Sequence, residues 1–244
     1  MLMRCIRAEN RKLRRSPIWL LFLAVPAISA IYGTFNYRMN QGILTHGWYD
    51  LWTQYTLFYA LFFCAPLIGV YAAYLWRLEH RGHNWNLIMT APVRPFALYA
   101  AKFCAMAKMA FLTQGWLLVL FLVGGKLGAG LAGFPPPEIL LWLLRGAVGG
   151  LPIIAIQLLL SMVIRNFALP VLMALAGSIL GLMATTSNAG LFWPYSLMLM
   201  GMNSNRTEDV MTGQLPGFFL SCIIFLAIFL LTADAVLAKQ DVKA

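Results

Sequence analysis

Charge is what this chain has least of. Charged residues make up 11% of its 244 residues, and only 8 of these are acidic, whereas a soluble domain carries about 25%. With 61% hydrophobic residues and a mean hydropathy of +0.76, a water-soluble core is excluded and lipid is the expected solvent. Cysteine is scarce too: Cys5, Cys64, Cys104 and Cys222 lie in a basic tail or in apolar runs. None has metal-ligand spacing, which excludes a disulfide framework and a thiolate metal site. P-loop, His-Glu-x-x-His and Gly-x-Ser-x-Gly motifs are all missing, so the chain binds no nucleotide through a Walker motif of its own. Buried carboxylates are nearly missing as well. Asp234 is the only one expected within a span, which argues against a proton relay.

What the chain has in quantity is long apolar runs. A spanning helix needs about 20 such residues, and six segments qualify: 18–37, 51–76, 97–125, 139–164, 167–184 and 215–237. They are continuously apolar rather than alternating, so helices are expected and a barrel is not. The first run is long enough to span and is read as an uncleaved helix rather than a signal peptide. The chain is thus read as one transmembrane domain over 1–244, an all-α polytopic membrane protein.

The net charge of +10 does not point to nucleic acid, because of where the cations sit. Arg4, Arg7, Arg11, Lys12, Arg14 and Arg15 precede the first run, and Arg77, Arg81, Arg94, Arg165, Lys239 and Lys243 fall on the same side. The opposite side receives only Arg38, Lys126 and Arg206. Cation bias places both termini in the cytoplasm. Within residues 1–17, Leu2, Ile6 and Leu13 share a helical face with cations around it, the pattern of an amphipathic helix on a membrane surface. Lys108, Arg145 and Asp234 are charges inside spans. Lys108 is the deepest and is expected to face the protein interior, Arg145 to reach the outer headgroups near Glu138, and Asp234 and Lys102 to snorkel toward water. Gly146, Gly149 and Gly150, then Ala174, Gly177 and Gly181, make small-residue surfaces for close helix packing within the fold or at a dimer face.

Two connections stand out. The outer loop 187–214 contains the apolar stretch "GLFWPYSLMLMGM", expected to lie in or dip into the outer interface as a re-entrant segment, with Trp193 and Tyr195 at headgroup depth. The loop 77–95, "RLEHRGHNWNLIMTAPVRP", has polar residues around Leu78, Trp85, Leu87 and Ile88 and is stopped by Pro92 and Pro95, the makings of a short surface helix or a solvated loop. His80 and His83 lack a nearby third ligand, so no metal is assigned.

The residues Glu79, Arg81, Gly82, Trp85, Leu87, Pro92, Arg94 and Lys102 resemble the cytosolic element of type-2 ABC exporter permeases. The closest similarity is to the permeases of bacterial lantibiotic-immunity and bacteriocin-export systems. These share the length, six spans, a basic first helix and an outer stretch like Trp193, Pro194, Tyr195 and Ser196. The resemblance implies that loop 77–95 is a coupling helix docking on a separate ATPase through Glu79 and Arg81, with Trp85 and Leu87 filling an apolar pocket. It implies two ATP-binding subunits holding ATP and magnesium, a second permease chain, and expulsion of a lantibiotic-like peptide from the bacterial cytoplasmic membrane. Trp193, Pro194 and Tyr195, with spans two and five, are the expected substrate or gate region. The rival readings are an ion- or proton-coupled secondary transporter, and a non-transporting anchor or intramembrane enzyme.

Overall fold

The computed structural model describes residues 1–14, 16–80 and 94–239. Helix α1 covers Leu2–Arg14. Among the described residues, six helices are long and apolar enough to cross a membrane: α2 (Ile18–Met39), α3 (Trp48–His80), α4 (Pro95–Gly128), α5 (Pro137–Val163), α6 (Ala168–Thr186) and α8 (Leu215–Ala238). Between α6 and α8, a 3₁₀ turn at Gly190–Phe192 leads into the short helix α7, Ser196–Gly201. Each expected span is present. The largest extension is at α3, which continues to His80 and so carries Glu79 in its last turn.

Local chemistry accounts for where several helices start. Pro95 and Pro137 occupy the first turn of α4 and α5, where the missing N–H leaves no intrahelical bond unmade. The carboxylate of Asp50, in the first turn of α3, accepts the His46 backbone N–H at 2.6 Å. The Asn166 side chain accepts the Ala168 N–H at 2.8 Å and so caps α6. Helix α3 is interrupted at Tyr59–Phe63 by a π-helical turn, a distortion that often marks functional positions.

Helices α3 and α5 form the centre of the bundle, while α8 is the most peripheral span. Trp52, Tyr55, Tyr59, Leu75 and Trp76 of α3 are essentially inaccessible. They pack with Trp142, Ile154 and Leu158 of α5 and with Tyr99 and Phe121 of α4. Phe121 receives the edges of Trp52 and Tyr55 at centroid distances of 5.3 and 5.2 Å. By contrast, Leu220, Ile223, Ile224, Ile228 and Leu231 of α8 are exposed, as expected of a helix whose outer face meets hydrocarbon.

Helix α1 packs along α4. Leu13 is buried and Ile6 partly so, while Arg4, Arg7, Arg11 and Arg14 are all exposed. Their spacing of three and four residues aligns these arginines in one stripe. An even number of spans brings the termini to one end of the bundle, called here the near end. The connection 129–136 and the segment 187–214 lie at the far end.

Candidate functional site

The middle of the far-end segment, residues 194–203, does not sit on the surface of the bundle. Tyr195, Ser196, Leu197, Met198, Leu199 and Met202 are all buried, wedged between α5 and α6. The glycines of both helices make this approach possible. A Cβ on Gly149 would come within 2.5 Å of the Leu197 carbonyl oxygen, and one on Gly201 within 2.7 Å of the Arg145 backbone. On α6, a Cβ at Gly177 would meet the Tyr195 ring at 2.8 Å, and one at Gly181 the Ser196 nitrogen at 3.0 Å. The small-residue surfaces of α5 and α6 therefore receive α7, an element of the same chain.

The segment is fastened by hydrogen bonds from three spans. From α3, the Trp52 indole donates to the Met202 carbonyl at 2.9 Å, and the Thr56 hydroxyl accepts the Asn205 N–H at 3.1 Å. From α5, the Gln157 amide donates to the Tyr195 hydroxyl at 2.7 Å. The Trp193 indole donates to the Gly177 carbonyl of α6 at 2.8 Å. Asn203 is fully buried and left-handed at φ 49°. Its amide donates to the Arg206 and Glu208 carbonyls, and its oxygen accepts the Val210 N–H. Asparagine tolerates that conformation better than most residues.

Arg145 completes the attachment. Rather than extending toward headgroups near Glu138, it turns inward and pairs with Asp209 at 2.9 and 3.0 Å. The same carboxylate accepts the Trp142 indole N–H and the Met211 backbone N–H. Partial burial works to raise the Asp209 pKa, but Arg145 and the two N–H donors outweigh it and hold the carboxyl below its ordinary value.

Against this segment lies a partly open cavity of about 290 Å³. Leu57 and Leu61 of α3 and Leu182 and Thr185 of α6 form one part of the lining. Asn188, Leu199, Met200, Asn205, Arg206 and Gln214 supply the rest. Its wall is thus half apolar and half polar, with a cation at the rim. Spans two and five, singled out from the sequence, both contribute. Of the expected trio, Trp193 is half-buried, and Pro194 and Tyr195 are buried; none of the three lines this cavity.

The near end holds a second constellation. Lys102 of α4 is fully buried, although it was expected to snorkel. Its ammonium donates to Glu9 at 2.9 Å, to Glu79 at 2.7 Å and to the Leu75 carbonyl at 3.3 Å, and lies 5.3 Å from the centre of the Trp76 ring. Lys12 contacts the same two carboxylates, Glu9 at 2.6 Å and Glu79 more closely still. Two ammonium groups and two carboxylates therefore tie α1 to the ends of α3 and α4. Burial lowers the Lys12 pKa, but the Glu9 charge and the hydrogen bonds to both carboxylates more than reverse this and hold it above the ordinary lysine value.

Glu79, expected to offer its charge to another protein, is thus turned inward and almost inaccessible. Arg81, Gly82, Trp85, Leu87 and Pro92 lie outside the described residues, as does most of the expected coupling helix. Lys108, expected in the interior, is exposed and donates to Asn10 of α1. Six residues beyond the inward-facing Lys102, it has rotated about 120° around the helix. Asp234 is exposed on α8, and Lys108 and Asp234 form no ion pair. Glu9, Lys12 and Asp209 are site residues that sequence reasoning did not single out, and Lys102, named there in the family pattern, was expected to point outward. The Glu9–Lys12 spacing was the one local signal, whereas the other pairings join positions far apart in the chain. Among the described residues, no group of three or more His, Cys, Asp or Glu side chains is placed to hold a metal ion.

A family profile described as ABC-2 family transporter protein matches residues 5–181. That span runs from α1 through most of α6 and includes the whole near-end charge cluster. No curated protein matches the chain significantly. Permeases of this family normally work with an ATP-binding subunit that carries the catalytic machinery. With its six apolar helices and a match over most of its length, the chain belongs to the ABC-2 family of transporter proteins and is a multi-pass membrane subunit.

Proposed function

We propose that this chain is the permease subunit of a bacterial ABC exporter that expels an amphipathic peptide antibiotic of the lantibiotic type from the membrane. Two copies, or one copy and a similar permease, sit over two ATP-binding subunits that hold ATP and magnesium. Both termini face the cytoplasm, α1 lies along the inner membrane surface with its arginines toward lipid phosphates, and segment 187–214 is the outer re-entrant element. The observation that carries the peptide reading is the far-end cavity, whose apolar helix walls meet a polar rim. Such a lining suits a ligand with one face for hydrocarbon and one for water. Its size, about 290 Å³, accommodates a few side chains at a time rather than a whole peptide.

The near-end cluster supports the ATPase coupling. Residues 81–93 connect the end of α3 at His80 with the start of α4 at Pro95. The cluster pins the two helix ends beside that loop to each other and to α1. In this reading Glu79 is a positioning residue, and Arg81, Trp85 and Leu87 make the docking contacts, with Gly82 and Pro92 shaping the loop. ATPase closure moves the spans because the docked states differ in free energy.

The test is co-expression with an ATP-binding subunit of a matching ABC exporter, followed by purification in mild detergent. Arg81→Ala with Leu87→Ala is expected to reduce co-purification severalfold, while the wild-type complex hydrolyses ATP faster when a lantibiotic is added. No association of wild type with any such ATPase would remove the permease reading. Association without stimulation by amphipathic peptides would remove the peptide reading alone.

A further inference from the structure

We infer that an open-sided groove between α2 and α4 is a binding site for one acyl chain of an anionic phospholipid, with Arg38 taking the lipid phosphate. The groove has a volume of about 380 Å³ and is separate from the far-end cavity. Ala27, Ala30, Ile31 and Thr34 of α2 form one wall, and Leu120, Val123 and Gly124 of α4 form the other. Small side chains on facing helices leave the space between them unfilled. From Ala27 to Arg38 it runs about 16 Å along α2 at 1.5 Å per residue, from within the span to its end.

The chemistry of the lining selects the occupant. Its two hydroxyls are already engaged: Thr34 and Tyr55 share a hydrogen bond of 2.8 Å, and Tyr55 reaches the Leu120 carbonyl at 3.2 Å. The floor therefore asks nothing polar of what lies on it, and hydrocarbon satisfies it. Ile31 and Phe35 flank the opening and are 68% and 62% exposed, so the groove opens sideways toward lipid rather than toward water.

Among the described residues, Arg38 is the single charged one in the lining. It lies one residue before the end of α2, is exposed, and its side chain makes no hydrogen bond or ion pair with the described residues. A guanidinium there offers a forked donor suited to phosphate. Among the described residues no carboxylate lines the groove to receive the ammonium of a zwitterionic headgroup, so net-anionic lipid is favoured over neutral lipid.

The test uses the full chain in detergent micelles, offered phosphatidylglycerol and phosphatidylcholine of matched chains and counted by native mass spectrometry. The wild type is expected to retain one phosphatidylglycerol severalfold in preference to phosphatidylcholine. Arg38→Gln should abolish that preference while a lipid of either kind is still retained. Ala27→Phe, at a half-buried position of the wall, should displace the lipid with the thermal melt of the lipid-free protein unchanged. Equal retention of both lipids by wild type, an unaltered preference in Arg38→Gln, or undiminished lipid in Ala27→Phe would each overturn the assignment. A change of oligomeric state in Ala27→Phe would overturn it too, showing the groove to be covered by a second copy. Because the readout is bound lipid, none of these outcomes bears on peptide transport.

Discussion

Lys102 is fully buried, so its charge is balanced chiefly by the carboxylates of Glu9 and Glu79. Removing one member of a buried pair costs about 3–5 kcal/mol, because the partner is left uncompensated in a poorly solvated site. Lys102→Met is therefore expected to lower the melting temperature strongly. Combining it with Glu79→Gln, which restores the charge balance with Lys12 and Glu9, should recover a large part of the loss. A double-mutant cycle on thermal melts checks this, and strictly additive effects would mean that the four groups do not act as a unit. Asp209 titrates outside the spans, so its effect on stability follows directly from the direction of its shift. Its folded pKa lies below the ordinary carboxylate value near 3.8, so the stabilisation is fully present above that pH. It is lost as the pH falls through the lower folded value. Asp209→Asn should melt earlier than wild type at neutral pH, and the two melting curves should converge in acid below pH 3.8. Lys12 works in the opposite sense. Its pKa is raised above 10.5, so its contribution is intact below that pH and is lost only in stronger base.

At the scale of elements, the seating of α7 against α5 makes a contrast within one helix turn. A methyl group at Gly149 would collide with the Leu197 backbone, whereas one at Gly150 would meet only the Met198 sulfur at 3.9 Å. Overpacking of this kind costs about 1–3 kcal/mol. Gly149→Ala should therefore destabilise the protein by that amount in detergent unfolding, and Gly150→Ala should have little effect; equal effects would contradict the packing described. The same contrast shows what was legible beforehand. The small residues at 146, 149, 177 and 181 announced that something packs closely on α5 and α6. They could not say what, because "LMLMGM" reads alike whether its neighbours are lipid or protein. Hydropathy placed the six spans well because bilayer thickness dictates their length. It carried no information on rotation about each axis, which is why Lys108 was assigned inward and Lys102 outward when the structure has them reversed. Arg145 was placed at the headgroups for a similar reason: Asp209, its partner, lies 64 positions later in a loop without a pattern of its own.

Across the whole molecule, the near-end charges join parts that the sequence presents as unrelated: a basic N-terminal helix, the exit of the second span and the entry of the third. Helix α1 is attached to α4 along its length, and through Glu9 it reaches the same ammonium that holds Glu79. Any force delivered to the ends of α3 and α4 by a partner on loop 81–93 is therefore shared with α1. If these three helices move as one block, loosening Glu9 should uncouple motion from docking rather than abolish docking. Glu9→Gln keeps the shape and one hydrogen-bonding oxygen but removes the charge that balances Lys102 and Lys12. In the complex with an ATP-binding subunit, this variant should co-purify at the wild-type ratio and retain basal ATP hydrolysis. The stimulation of hydrolysis by transported ligand should fall severalfold, and Glu9→Asp should restore part of it. Loss of co-purification in Glu9→Gln would instead make the cluster part of the docking surface itself. Unchanged stimulation would make α1 a passive attachment to the moving spans.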